Sequence, residues 1–148
     1  MRLSTFSRLS PRRDKPVGRT RPGHRALKPL APIRDNPGNL LGFHYIPEGH
    51  EGPLPLVVVL HGCTQDAAGY DRGSGWSRLA ARHGFALLFP QQQRANNPAL
   101  CFNWFTAGDS RRGMGEAASI RAMIEAMRAR SSHGSTPPRP CRAGCRRR

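Results

Sequence analysis

Pro53-Leu54-Pro55-Leu56-Val57-Val58-Val59-Leu60-His61-Gly62-Cys63-Thr64-Gln65 is the stretch that decides the fold. Leu56 to Leu60 is an unbroken apolar run rich in β-branched residues, with prolines before it and His61-Gly62 behind. Such a run predicts a strand buried on both faces, as in a parallel sheet, because a half-exposed strand alternates apolar with polar residues. The small and polar residues that follow then fall at the carboxyl end of the strand, where open α/β sheets place their ligands. A site is expected there.

Upstream, Asn36-Pro37-Gly38-Asn39 is a turn cluster. Leu41 to Ile46 has strand character, with Phe43 and Tyr45 on one face and His44 and Ile46 on the other. Pro47 to Pro53 reads as a loop that leaves room for a hairpin into the Leu56 strand. Downstream, Asp66 to Gly75 is small and polar and reads as an ordered loop, with Ser74 as N-cap of a short helix through Trp76, Leu79, Ala80 and His83. Gly84 stands where that helix stops, and Phe85 to Phe89 is a second buried strand ended by Pro90. A strand, helix, strand unit of this kind is a right-handed crossover between parallel strands.

Gln91 to Gly113 is a long polar segment holding Cys101-Phe102-Asn103-Trp104-Phe105. A loop of this length inside a compact domain is more often functional than idle. From Gly115 a helix is predicted, because Ile120, Met123, Ile124 and Met127 follow i, i+3, i+4, i+7 spacing and Glu116 sits where the helix dipole favours an acid. The class is α/β. One more parallel strand should follow, and instead the sequence from Ser131 runs S-S-H-G-S-T-P-P-R-P-C-R-A-G-C-R-R-R.

The 148 residues carry a formal charge of +15, which by itself suggests nucleic acid or an anionic surface as partner. Its distribution argues otherwise. Residues 1–35 hold ten Lys/Arg and two acids, residues 128–148 hold seven Arg and no acid, and residues 36–127 hold seven Arg and seven Asp/Glu. The neutral middle is the globular part, and the ends lack the apolar residues needed to offset chain entropy. Three segments are therefore expected: a basic, disordered extension over 1–35, a folded domain over 36–130 and a basic tail over 131–148. No apolar run approaches a membrane span, and the scattered Leu3, Phe6 and Leu9 do not make the apolar core of a secretory signal.

Five ordered blocks, P-L-V-V-V-L-H-G-C-T-Q, G-Y-D-x-G-S-G-W-S, H-G-F-A-L-L-F-P-x-Q, N-N-P-x-L-C-F-N-W-F and R-R-G-x-G-E, resemble the amino-terminal half of the polyhydroxybutyrate depolymerase family of esterases, which is similar to feruloyl and acetyl-xylan esterases. The resemblance covers roughly residues 36–130. It implies a partial α/β-hydrolase fold, a mostly parallel sheet with flanking helices, and cleavage of carboxylic esters through an acyl-enzyme in full-length relatives. No cofactor or metal is implied, and the implied location is extracellular. The partner implied is an ester substrate, with no specific nucleic acid and no membrane span.

Esterase chemistry on such a fold needs a serine on a sharp G-x-S-x-G turn, a later acid and histidine, and backbone N–H donors after an earlier strand. No triad member is identifiable. Ser77 in G-W-S-R-L and Ser110 in G-D-S-R-R both lack the closing small residue. Cys63 and Thr64 match the place where the family supplies oxyanion N–H groups, donors able to account for about 100- to 1,000-fold in rate; a plain tight turn is the alternative. His61, beside them, reads as a histidine whose ring fixes loop carbonyls rather than as a base. Trp104 and Phe105 form either a wall of the substrate pocket or anchors of the loop in the core. Cys63 and Cys101 fall in family-like blocks and form either a disulfide across the site or two buried thiols.

The tail has its own explanation. Family members continue after the helix with something like H-G-I-D-P-A, and restoring one nucleotide before the codons of Ser135-Thr136-Pro137-Pro138 regenerates I-D-P-A after His133-Gly134. Continued, the shifted frame allows G-L-S-A at the spacing of the nucleophile turn, but not the closing Gly of G-x-S-x-G. A frameshift after about residue 133 is therefore expected. On that basis Cys141 and Cys145 are accidental rather than a zinc site, and this chain by itself is inactive. Two other outcomes stand beside this one: a binding protein whose basic ends engage nucleic acid or anionic surfaces, and a chain whose half-sheet leaves an aggregation-prone edge.

Overall fold

The computed structural model describes residues 27–50 and 52–132. The expectations placed on residues 1–26 and 133–148, including the zinc alternative at His133, Cys141 and Cys145, lie outside the described residues. Among the described residues, four strands and four helices follow in the order β1 (Lys28–Pro29), β2 (Leu41–Tyr45), β3 (Leu56–Val58), α1 (Ala67–Ser74), α2 (Trp76–His83), β4 (Ala86–Gln91), α3 (Ala107–Ser110) and α4 (Gly115–Ser132). The sheet order is β1-β2-β4-β3. β4 pairs parallel with β3 and antiparallel with β2, so α1 and α2 form the crossover between parallel strands.

β4 is the centre of the molecule. Ala86 to Pro90 are all buried, and side-chain parity sorts them between two cores. Leu87 and Phe89 join Tyr45, Val59, Ala67 and Ala80 under α1 and α2, whereas Ala86 and Leu88 join Leu40, Met123 and Met127 under α4. The apolar stripe of α4 thus packs on the sheet as its spacing predicts, with Met123 and Met127 at its centre and Ile120 and Ile124 at its margin.

Several expectations require correction. The Leu56 strand is not the one buried on both faces: Leu56, Val57 and Val58 are half-buried, because β3 lies at the edge of the described sheet and β4 takes the interior place. No hairpin joins β2 to β3, since β4 inserts between them. Pro90 does not end its strand. Ala86 N–H donates to Pro55 and Leu88 carbonyl accepts from Val59, so even-numbered residues of β4 face β3. Pro90 therefore lacks its N–H on the side facing β3, just past the last ladder pair, Val58 with Leu88.

The segment read as a loop over 66–75 is mostly helix. Asp66 is the N-cap of α1, accepting from Gly69 N–H at 2.6 Å, and Gly75, not Ser74, sits between α1 and α2 in the left-handed region at φ 79°. Order also begins before residue 36. Leu30 N–H donates to Gly42 carbonyl at 2.8 Å, and Leu27, Leu30 and Ile33 pack on the two cores. The charge count hid these three apolar residues among the cations. At the other boundary α4 continues to Ser132, past the expected limit at 130.

Gly38 shows how tightly the turn before β2 approaches α4. A Cβ there would meet the Glu116 Cα at 2.5 Å, and its N–H donates to Ser119 Oγ at 2.8 Å. The turn is thereby fastened to the first turns of α4. His44 is buried beneath the same helix. Burial, then Arg130 and Lys28, lower its pKa from the ordinary histidine value, and its Nδ1 has no hydrogen-bond partner among the described residues.

Candidate active site

The chain leaves β3 through Val59 and Leu60 and turns at His61-Gly62-Cys63-Thr64 before α1. Thr64 occupies the left-handed region at φ 62°, which a β-branched residue adopts only when its surroundings hold it there. Its restraint is visible: Thr64 N–H donates to Ala99 carbonyl at 2.7 Å. Thr64 is therefore not an open oxyanion donor, which corrects one half of the predicted pair. Gly62 N–H is also used, by Gln65 Oε1 at 2.8 Å. The Cys63 N–H has no acceptor among the described residues, and Cys63 is exposed.

His61 is buried and uses both ring nitrogens. Its Nε2 accepts from Gln92 N–H at 3.1 Å, and its Nδ1 lies 2.8 Å from the Gly62 carbonyl. A backbone amide can only donate, so Nε2 carries no proton and the Nδ1–H donates to Gly62. The ring also packs on Phe102, with centroids 5.1 Å apart. His61 is a structural histidine with no lone pair left for a substrate proton. The Gln92 N–H reaches it because Gln92 continues the even-numbered series of β4 that faces β3.

A disulfide joins Cys63 to Cys101 and ties the turn to the long loop, with Cα atoms 4.3 Å apart. The same loop is held from below by Glu116. One carboxylate oxygen accepts from Gln92 Nε2, the other from Asn103 N–H at 2.9 Å, and Asn103 Oδ1 accepts from Asn97 Nδ2 at 2.9 Å. Gln92 in turn donates to Cys101 carbonyl at 3.2 Å and accepts from Asn96 at 2.7 Å. Glu116 stands in the first turn of α4, where the helix dipole favours an acid, and is also a buried acceptor at the centre of a polar network.

Burial raises the Glu116 pKa above the ordinary value of 4.5; the donors Asn103 and Gln92 oppose the shift and Asp109 adds to it. A carboxyl whose folded pKa is raised binds more protons folded than unfolded between the two values. Relative to a Glu116→Gln variant, the chain is therefore expected to lose stability as pH rises from about 4.5 through the raised folded value. Urea midpoints of both proteins at stepped pH check the sign; parallel pH profiles would remove Glu116 as the cause.

Trp104 and Phe105 are not core anchors. They are 78% and 66% exposed and meet each other edge to face at 5.7 Å. The structure thus brings His61, Cys63, Cys101 and Phe102 together, commits Thr64 to Ala99, and leaves the aromatic pair in solvent. Sequence reasoning missed Gln92 and Asn103 altogether. All three network residues, Gln92, Asn103 and Glu116, are nevertheless fixed letters of the P-x-Q, C-F-N-W-F and G-x-G-E blocks.

The family model described as esterase PHB depolymerase matches residues 42–136. The chain belongs to that family. Poly(3-hydroxyalkanoate) depolymerase C of Paucimonas lemoignei is 49% identical over 114 residues, covering 77% of this chain and 27% of that protein. Acetylxylan esterase A of Aspergillus oryzae is 32% identical over 66 residues, covering 45% of this chain and 22% of its own. The solved acetyl xylan esterase from Aspergillus awamori superposes with a TM-score of 0.65 at 23% identity, over 72% of this chain and 38% of that one, which establishes the shared α/β fold. The chain spans about a quarter of the length of these curated relatives. Among the described residues no helix is long and apolar enough to cross a membrane.

Proposed function

We propose that this esterase-family chain supplies the oxyanion side of a serine-type carboxylic ester hydrolase site. The observation that carries the proposal is the Cys63 N–H: it stands at the carboxyl end of a parallel strand, in an exposed turn, with no acceptor among the described residues. In the complete reaction a serine hydroxyl attacks the ester carbonyl, its proton passes to a histidine, and the tetrahedral oxyanion rests on backbone donors before the alcohol leaves. The acyl-enzyme is then hydrolysed by water. The names of the relatives point to hydroxyalkanoate polyesters or acetylated xylan as substrate classes.

The 148 residues contain no G-x-S-x-G. This chain alone is accordingly read as inactive, with the sequence after about residue 133 translated from a shifted frame. The Cys63–Cys101 disulfide fits an exported protein, since such bonds persist in oxidising compartments. Purified chain should give no serine-inhibitor-sensitive turnover of p-nitrophenyl butyrate. A chimera joining residues 27–132 to the later part of the Paucimonas lemoignei depolymerase should give it. Turnover by the chain alone would overturn the inactivity, a folded but inert chimera would overturn the site, and the nucleotide sequence just past the α4 codons decides the frame.

A further inference from the structure

The free Cys63 N–H belongs to the same peptide group as the Gly62 carbonyl. In a planar trans peptide these two groups point in opposite directions, so a hydrogen bond to the carbonyl also fixes where the N–H points and polarises it. That bond comes from His61 Nδ1 at 2.8 Å. His61 can make it only in the tautomer with the proton on Nδ1, and that tautomer is selected by the Gln92 backbone N–H at 3.1 Å from Nε2. Gln92 is itself held through its side chain by buried Glu116.

We propose that Gln92 and Glu116 are positioning residues for the oxyanion donor: they hold the His61 ring in the orientation and tautomer that turns the Gly62–Cys63 peptide with its N–H outward and free. The proposal rests on Cys63 as the oxyanion donor, and adds to it a buried device that sets that donor from the far side of β4. Each link is directional. A carboxylate accepts from the Gln92 side chain, an amide N–H donates to an imidazole nitrogen, and the opposite ring nitrogen donates to a carbonyl. The second oxygen of Glu116 accepts from Asn103 N–H at 2.9 Å, so the anchor of the relay also registers the loop carrying Cys101. Gly62 carbonyl receives a second, longer bond from Gln65 N–H at 3.3 Å, which closes the turn without setting the histidine.

Isotope-labelled, oxidised chain read by NMR tests this without any turnover. The parent should show one His61 tautomer, protonated on Nδ1. Glu116→Gln presents one oxygen to two donors, and Gln92→Met removes the side-chain donor while keeping the backbone N–H. In either variant the His61 ring nitrogens should move toward a mixture of tautomers, the Gly62 carbonyl carbon should shift upfield, and the Cys63 amide should shift with it, while β2 amides stay in place. The double variant Gln92→Glu, Glu116→Gln exchanges donor and acceptor across that contact and should restore the parent His61 signals, while the Cys101 carbonyl, deprived of its Gln92 donor, shifts.

A merely structural role would lower stability without that tautomer change or its rescue. Folded single variants with unmoved His61, Gly62 and Cys63 signals overturn the proposal. Should both single variants fail to fold, the exchanged double variant decides alone, parent-like His61 signals supporting the relay and altered ones overturning it. An inert chimera with these signals intact would sink the oxyanion reading and leave the relay standing.

Discussion

Replacing Phe89 by alanine is expected to cost about 4 kcal/mol, a large share of the stability of a domain this size. Phe89 is wholly buried in β4, a strand paired on both sides, and it faces the core formed with Tyr45, Val59, Ala67 and Ala80. Removing its ring deletes the transfer free energy of the side chain. It also leaves a cavity that cannot close, because β2 and β3 fix the backbone on either edge and α1 and α2 fix the lid. With a urea slope of about 1–2 kcal/mol/M, the midpoint should fall by about 2–4 M. Phe105→Ala is the control: that ring is 66% exposed, and its loss should change stability by no more than about 0.5 kcal/mol. Equal midpoints for the two variants would show that β4 is not the centre of the core.

The contrast between these two phenylalanines also marks what the sequence could disclose. Phe85 to Phe89 is legible as a buried strand because it contains no polar residue, and the α4 stripe is legible because its period is set by the helix itself. Both are local properties. The rank of β3 and β4 was not legible, since an apolar run reports burial but not which neighbours cause it. β2 pairs with β4 across the whole crossover, and that choice is made by tertiary packing. Helix α1 was hidden because Ala67-Ala68-Gly69-Tyr70-Asp71-Arg72-Gly73-Ser74 has two glycines and no apolar period. Its order comes from Asp66 and from Gln91 Oε1, which accepts from Ala67 N–H at 2.9 Å, and from buried Asp71, whose carboxylate accepts from Ser77 N–H at 2.7 Å.

The same distinction runs through the site. His61-Gly62-Cys63-Thr64 could be placed at a strand end from the sequence, but two of its N–H groups are decided by remote or side-chain acceptors. Ala99 takes the Thr64 donor and Gln65 takes the Gly62 donor. Only after those acceptors are assigned does Cys63 remain. Glu116 was visible as an acid near a helix start, yet its function depends on Gln92 and Asn103, two residues from another part of the chain. Spacing cannot show such a convergence; fixed letters in three separate blocks hint at it.

Loss of the Cys63–Cys101 bond should cost about 3–4 kcal/mol. The bridge spans 38 residues, between the loop of about 15 residues that gives roughly 3 kcal/mol and the loop of about 100 that gives roughly 4.7 when closed in the unfolded chain. The native loop has other restraints: Thr64 N–H on Ala99, Gln92 Nε2 on the Cys101 carbonyl, and Asn103 N–H on Glu116. Reduction should therefore act mainly through the unfolded ensemble, lowering the urea midpoint while leaving the folded spectrum nearly unchanged. A Cys63→Ser, Cys101→Ser double variant should reproduce the reduced chain, and non-reducing peptide mapping of the parent should find residues 63 and 101 linked. Two free thiols in the parent, or equal midpoints before and after reduction, would refute the bridge as a stabilising element. A large change in the folded spectrum would show instead that the bond, not the polar network, holds the loop against the turn, and the placement of the Cys63 N–H would then depend on the oxidation state of its own side chain.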